Sequence, residues 1–169
     1  MTGHTPDADS LRRAAAAGDA ESVRALLEAG ADVNSRNQDG LTALHQAAAA
    51  GDDESVQALL TAGADVKATD NFGWTALQEA ATAGHAETVR ALLEAGADVK
   101  ARNQDGLTAL HGAAACGSRE MVELLVRHGA DASAEDSAGR TPENFARTMG
   151  QHAVAVRLRE LHRSSVPTR

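Results

Sequence analysis

The sequence predicts an all-α solenoid, a stack of helix–turn–helix units joined by projecting β-turn or hairpin loops. Three observations predict it. The tetrapeptide GADV starts at Gly30, Gly63 and Gly96, and GADA follows at Gly129, each 33 residues after the last. A second series keeps the same step: Gly40-Leu41-Thr42-Ala43-Leu44-His45, Gly73-Trp74-Thr75-Ala76-Leu77-Gln78, Gly106-Leu107-Thr108-Ala109-Leu110-His111 and Gly139-Arg140-Thr141-Pro142. A fixed period of this length marks a chain built from stacked supersecondary units. Third, hydrophobic residues make up 43% of the 169-residue chain but aromatics only 2%, with no Tyr. The core must then be Leu, Val and Ala, which pack well only where backbones approach closely, and aromatic-lined ligand cavities are not expected.

Each unit reads as helix, tight turn, helix and extended loop. Thr42, Thr75, Thr108 and Thr141 stand before apolar runs and can cap a first helix through the hydroxyl. Pro142 takes the first helical position, where a missing N–H costs nothing. Leu44, Ala47 and Ala48 then fall on one face, and Gly51, with its equivalents Gly18, Gly84 and Gly117, closes the helix. Asp19, Asp52 and Ser118 can cap the second helices, whereas His85 breaks the pattern. Val23, Leu26 and Leu27 lie at helical spacing, as do Val56, Leu59 and Leu60, and Val89, Leu92 and Leu93. Gly30, Gly63, Gly96 and Gly129 close the second helices. Helices this short are not stable alone, so stacking must bury the shared face.

These motifs resemble the ankyrin-repeat family closely, with five units at 7–33, 34–66, 67–99, 100–132 and 133–163. The resemblance implies paired-helix stacking with loops projecting at about right angles to the helices. The end units are atypical. The first lacks the hairpin, and the last keeps Phe145, Val154, Val156, Leu158 and Leu161 as apolar contacts beside Arg147, Arg157 and Arg159. Polar outer faces of this kind keep a solenoid soluble, so the chain reads as a whole protein. Residues 1–9 are expected to be flexible, residues 10–163 to form the single repeat domain, and residues 164–169 to be a disordered tail. An exact copy of Asn37–His45 at Asn103–His111 points to duplication of a two-repeat block.

In ankyrin-like proteins the partner meets the hairpin tips and the inner face of the first helices. Carried onto this sequence, the resemblance implies a site at Leu41, Trp74, Leu107 and Arg140, just after the tip glycines, with Asp39, Phe72 and Asp105 just before them. Asp70-Asn71-Phe72-Gly73-Trp74 holds two of the three aromatics, flanked by Leu41 and Leu107 and bordered by Asp39 and Asp105. An apolar strip with a polar rim is the pattern of a binding hot spot. Glu79 adds an acidic group, so the expected partner is a protein with both apolar and basic groups. The inner face itself, Ala49, Ala50, Thr82, Ala83, Ala115 and Cys116, is small and bland.

Other functions find little support. A formal net charge of -8 repels phosphate backbones, so nucleic acid is not the expected partner. No stretch approaches the ~20 apolar residues of a membrane span. Of seven histidines, His45 and His111 occupy the family's helix-start position, and no Cys/His pair has zinc-ligand spacing, so no metal or cofactor is expected. Cys116 has no aligned base, and no phosphate-cradling loop is present, so the chain is not expected to be an enzyme. One cysteine, no signal peptide and a net charge of -8 predict a cytoplasmic monomer, and the Arg- and Ala-rich composition points to a bacterial source. The reading is a protein–protein interaction module. The alternatives are an inhibitor or immunity protein blocking an enzyme or toxin, or a secreted effector acting on host proteins.

Overall fold

The computed structural model describes residues 7–165. Among them are ten helices: α1 (Ala8–Ala17), α2 (Ala20–Glu28), α3 (Ala43–Ala50), α4 (Asp53–Thr61), α5 (Ala76–Ala83), α6 (Ala86–Glu94), α7 (Ala109–Cys116), α8 (Arg119–Arg127), α9 (Pro142–Thr148) and α10 (His152–Ser165). Odd-numbered helices pack on odd-numbered neighbours and even on even, so each unit lays one helix into each of two layers. The only β feature among the described residues is an isolated antiparallel bridge between Thr69 and Thr75.

The caps are those the side chains dictate. Thr42, Thr75 and Thr141 accept the backbone N–H of the residue three further on, and those residues (His45, Gln78, Asn144) bond back to the cap. Asp19, Asp52 and Ser118 cap α2, α4 and α8, while His85 makes no side-chain cap bond. Its ring instead lies on Gly51 of the preceding unit, with Nε2 3.2 Å from the Ala49 carbonyl. Gly51 has φ 69°, and a Cβ there would collide with that ring, so both backbone and neighbour demand glycine.

The core runs unbroken through the stack. Leu59, Leu92 and Leu125 are fully buried between units, as are Ala47, Ala80, Ala113 and Ala146. Their equivalents in the first unit, Leu26 and Ala14, are only half-buried, because no unit lies on that side of them among the described residues. Positions facing the other way tell the opposite story. Leu11, Leu44, Leu77 and Leu110 are buried, and the fifth member of that series is Glu143. Arg147 and Arg159 likewise replace the apolar residues of earlier units, and both approach Glu143, at 3.9 and 2.6 Å. The last unit thus closes its outer side with ions.

Two expectations are corrected. Val156, expected as an apolar contact, is 53% exposed, since it points away from α8 and α9 while Val154 and Leu158 point in. In α2 only Val23 of the expected stripe is fully buried: Leu26 lacks a neighbouring unit, while Leu27, like its equivalent Leu60 in α4, is half-buried at a groove between even-numbered helices. At the ends, α1 begins at Ala8, and α10 continues past Arg163, with Ser164 Oγ donating to the Glu160 carbonyl at 2.9 Å. The remainder of the two terminal segments, 1–6 and 166–169, lies outside the described residues.

Candidate functional site

Each hairpin tip is built by one Asx side chain. Asp70 Oδ1 accepts the N–H of Phe72 (2.9 Å) and of Trp74 (2.7 Å), and the Asp70 N–H donates to the Trp74 carbonyl (2.9 Å). Asn37, Asn103 and Asp136 do the same in their units. Such side-chain turns mimic backbone turns and fix the loop locally. The tips are then linked across units. Asn71 N–H donates to the Asp39 carbonyl (2.9 Å), Gln104 N–H to Phe72 (2.9 Å) and Ser137 N–H to Asp105 (2.8 Å). A Cβ on Gly40 would come within 2.6 Å of Asn71 Oδ1, so a glycine tip is what permits this ladder.

A second set of bonds ties each first helix to the tip that follows. His45 Nε2 lies 3.0 Å from the Trp74 carbonyl, Gln78 Nε2 donates to Leu107 at 2.7 Å, and His111 Nε2 lies 3.0 Å from the Arg140 carbonyl. All three side chains are 1% exposed.

The residues singled out in the sequence fall on this framework unevenly. Phe72 is 61% exposed at the middle tip. Trp74, Leu41 and Leu107 are half-buried, so the strip between the tips is recessed behind Phe72 rather than flush with it. Asp39 and Asp105 are exposed on either side. Glu79 is half-buried on α5, and among the described residues no cation bonds to it. Burial first, and then the charge of Asp70, raise its carboxyl above the ordinary glutamate value. Arg140 keeps 60% of its side chain exposed but is engaged within its own unit. It is bound to Asp136 at 2.7 Å, and its guanidinium lies 4.7 Å above the Phe145 ring. Burial would raise the Asp136 carboxyl, but hydrogen bonds from Arg140 and Ala138 outweigh it and hold it low.

Phe145, expected from the sequence only as an apolar contact of the last unit, lies at this edge, edge-on to His111 at 5.2 Å. Its position aligns with Gln46, Glu79 and Gly112, and that shared register was the available signal. The small inner-face residues Ala49, Ala50, Thr82, Ala83 and Cys116 are exposed at the C-terminal ends of α3, α5 and α7, with Ala115 half-buried. Elsewhere, a groove of about 520 Å³ between α2 and α4 is lined by Arg24, Leu27, Glu54 and Ala58, none of them a site residue expected from the sequence, Leu27 having been expected in the core. No group of His, Cys, Asp or Glu able to hold a metal ion occurs among the described residues. No helix among them is long and apolar enough to cross a membrane.

A stack of helical hairpins whose tips form a bonded row is a repeat solenoid. Family models for ankyrin repeats match residues 11–103 (three copies) and 92–146 (many copies), and the chain belongs to the ankyrin-repeat family. Ankyrin repeats are in general protein–protein interaction modules on a non-catalytic fold. No curated protein matches the chain.

Proposed function

We propose that this chain is a non-catalytic module that holds a protein partner on its hairpin tips and the adjoining first helices, with Phe72 as anchor. The observation that carries the reading is a large aromatic, 61% exposed, on a backbone pinned at both its N–H and its carbonyl. Little conformational entropy remains to be lost there on association, and preorganisation of this kind favours affinity. Trp74, Leu41 and Leu107 form the recessed apolar ground behind the anchor, and Asp39 and Asp105 its polar rim. Glu79, without a cation of its own, favours a partner that brings a basic group beside an apolar one. Arg140, occupied by Asp136 and Phe145, marks the edge of the surface. We read the molecule as a cytoplasmic monomer, in keeping with its single cysteine and net charge of -8.

Affinity capture with wild type beside Phe72→Ala tests this. Truncating an exposed aromatic leaves the melting temperature within a degree or so, while an anchor contributes about 2 kcal/mol, roughly thirtyfold in Kd. A partner bound equally by both proteins would move the site away from the middle tip.

A further inference from the structure

We infer that His45 and His111 are acid-released latches, which hold the loops carrying Trp74 and Arg140 at neutral pH and let them go on protonation, while Gln78 holds the Leu107 loop at any pH. The hydrogen-bond accounting at His45 carries the inference. Nδ1 faces the backbone N–H of Thr42 at 3.2 Å, so it must accept, and the ring proton therefore sits on Nε2. Nε2–H then donates to the Trp74 carbonyl at 3.0 Å. His111 repeats the arrangement, with Thr108 N–H at 3.1 Å from Nδ1 and the Arg140 carbonyl at 3.0 Å from Nε2.

A second proton must go to Nδ1, where it meets a donor. The Thr42 hydroxyl, 2.9 Å away, can turn to accept it, but the N–H of the same residue cannot turn. The new charge would also sit in a side chain only 1% exposed. The ring escapes both penalties by leaving its site, and it then surrenders the bond to the Trp74 carbonyl. The surroundings do not reverse this. Facing His45 are Asp70, which favours the cation, and Arg36, which opposes it, with the Trp74 and Ala68 carbonyls on the favouring side. Facing His111 are Asp136 on one side of the balance and Arg102 and Arg140 on the other, with the Phe145 ring edge-on. Burial is the largest influence on each and keeps both below the ordinary histidine value.

Gln78 is the built-in control. Its Oε1 accepts the Thr75 N–H at 2.9 Å and its Nε2 donates to the Leu107 carbonyl at 2.7 Å, the same two bonds without a titratable group. The latch itself needs no partner. Its consequence, that acid loosens the middle tip and weakens binding there, rests on the function proposed above.

Trp74 is the only tryptophan, so its fluorescence reports on the loop that His45 holds. Titrated from neutral to acid, the full chain should show a Trp74 transition with a midpoint below 6.5, the free histidine value, before helical circular dichroism is lost. His45→Gln should abolish that transition, and His111→Gln should leave it in place. A transition that survives in His45→Gln, or none in wild type before the helices melt, overturns the latch. Should His45→Gln fail to fold, proton NMR of the wild type decides. The amide signals of Thr42 and Trp74 should move with the midpoint of the His45 ring, and amides that do not follow it overturn the inference. None of these readouts involves binding, so they fail or succeed apart from the Phe72 experiment.

Discussion

At Leu59 the side chain is fully buried between two units, and its equivalents Leu92 and Leu125 are fully buried as well. Leu59→Ala should therefore cost about 2–5 kcal/mol, read as a lower urea midpoint, because a close-packed junction relaxes little around a cavity. Single titratable residues set a pH profile whose sign can be worked out. His45 and His111 have folded pKa values below 6.5, so above that pH they are neutral in both states and their full contribution is present. As pH falls through 6.5 the unfolded chain takes up protons first, and stability drops until the folded pKa values are passed. Asp19, Glu123, Asp131 and Asp136 are also held low, so their contributions are lost only in the lower window, below the ordinary carboxylate values of 3.8 and 4.5. Stability measured in urea against pH should fall in two limbs, and a His45→Gln/His111→Gln variant should lose the upper limb alone.

The elements themselves were the most legible level. Caps, closing glycines and apolar stripes are local signals, and Thr42, Asp52 and Gly51 each act within a few residues of where they stand. Even the exception at His85 could be read from its side chain. What could not be read depends on how one unit lies on the next. The Asn71-to-Asp39 backbone bond, the recess of Trp74 and the engagement of Arg140 by Phe145 have no signature within a single 33-residue window. Gly112 is the plainest case. In sequence it is a glycine inside a helix, but in space it is where α7 touches α5. A Cβ there would collide with Thr82 Oγ1 and lie 3.0 Å from the Thr82 nitrogen. Helix propensity favours Gly112→Ala by about 1 kcal/mol, and overpacking opposes it by about 1–3 kcal/mol. We expect a net loss in melting temperature, partly recovered in Gly112→Ala/Thr82→Ala, which removes the Oγ1 clash but not the backbone contact. A gain from the single change would mean that the two helices part easily.

Taken whole, the molecule has two unlike ends. The side of the first unit that would receive a neighbour keeps Ala14 and Leu26 half-buried, whereas the last unit presents Glu143 between Arg147 and Arg159. Joining one copy to the next in the sense of the internal junctions would bury those ions against apolar side chains, which costs several kcal/mol. Replacing them with the residues their positions carry in earlier units (Glu143→Leu, Arg147→Ala, Arg159→Leu) removes that barrier. A contact between unlike ends does not close on itself, so the variant should form chains whose sedimentation grows with concentration. An unchanged sedimentation coefficient would show that the ions are not what prevents it. The row of bonded tips bears on history as well as on shape. Asn103–His111 copies Asn37–His45, and both copies find the same kinds of partner, a threonine N–H behind and a loop carbonyl ahead. A gene encoding such a row can lengthen or shorten only by whole links: 33 residues added or lost leave each clasp with something to grip, and any other number leaves one open.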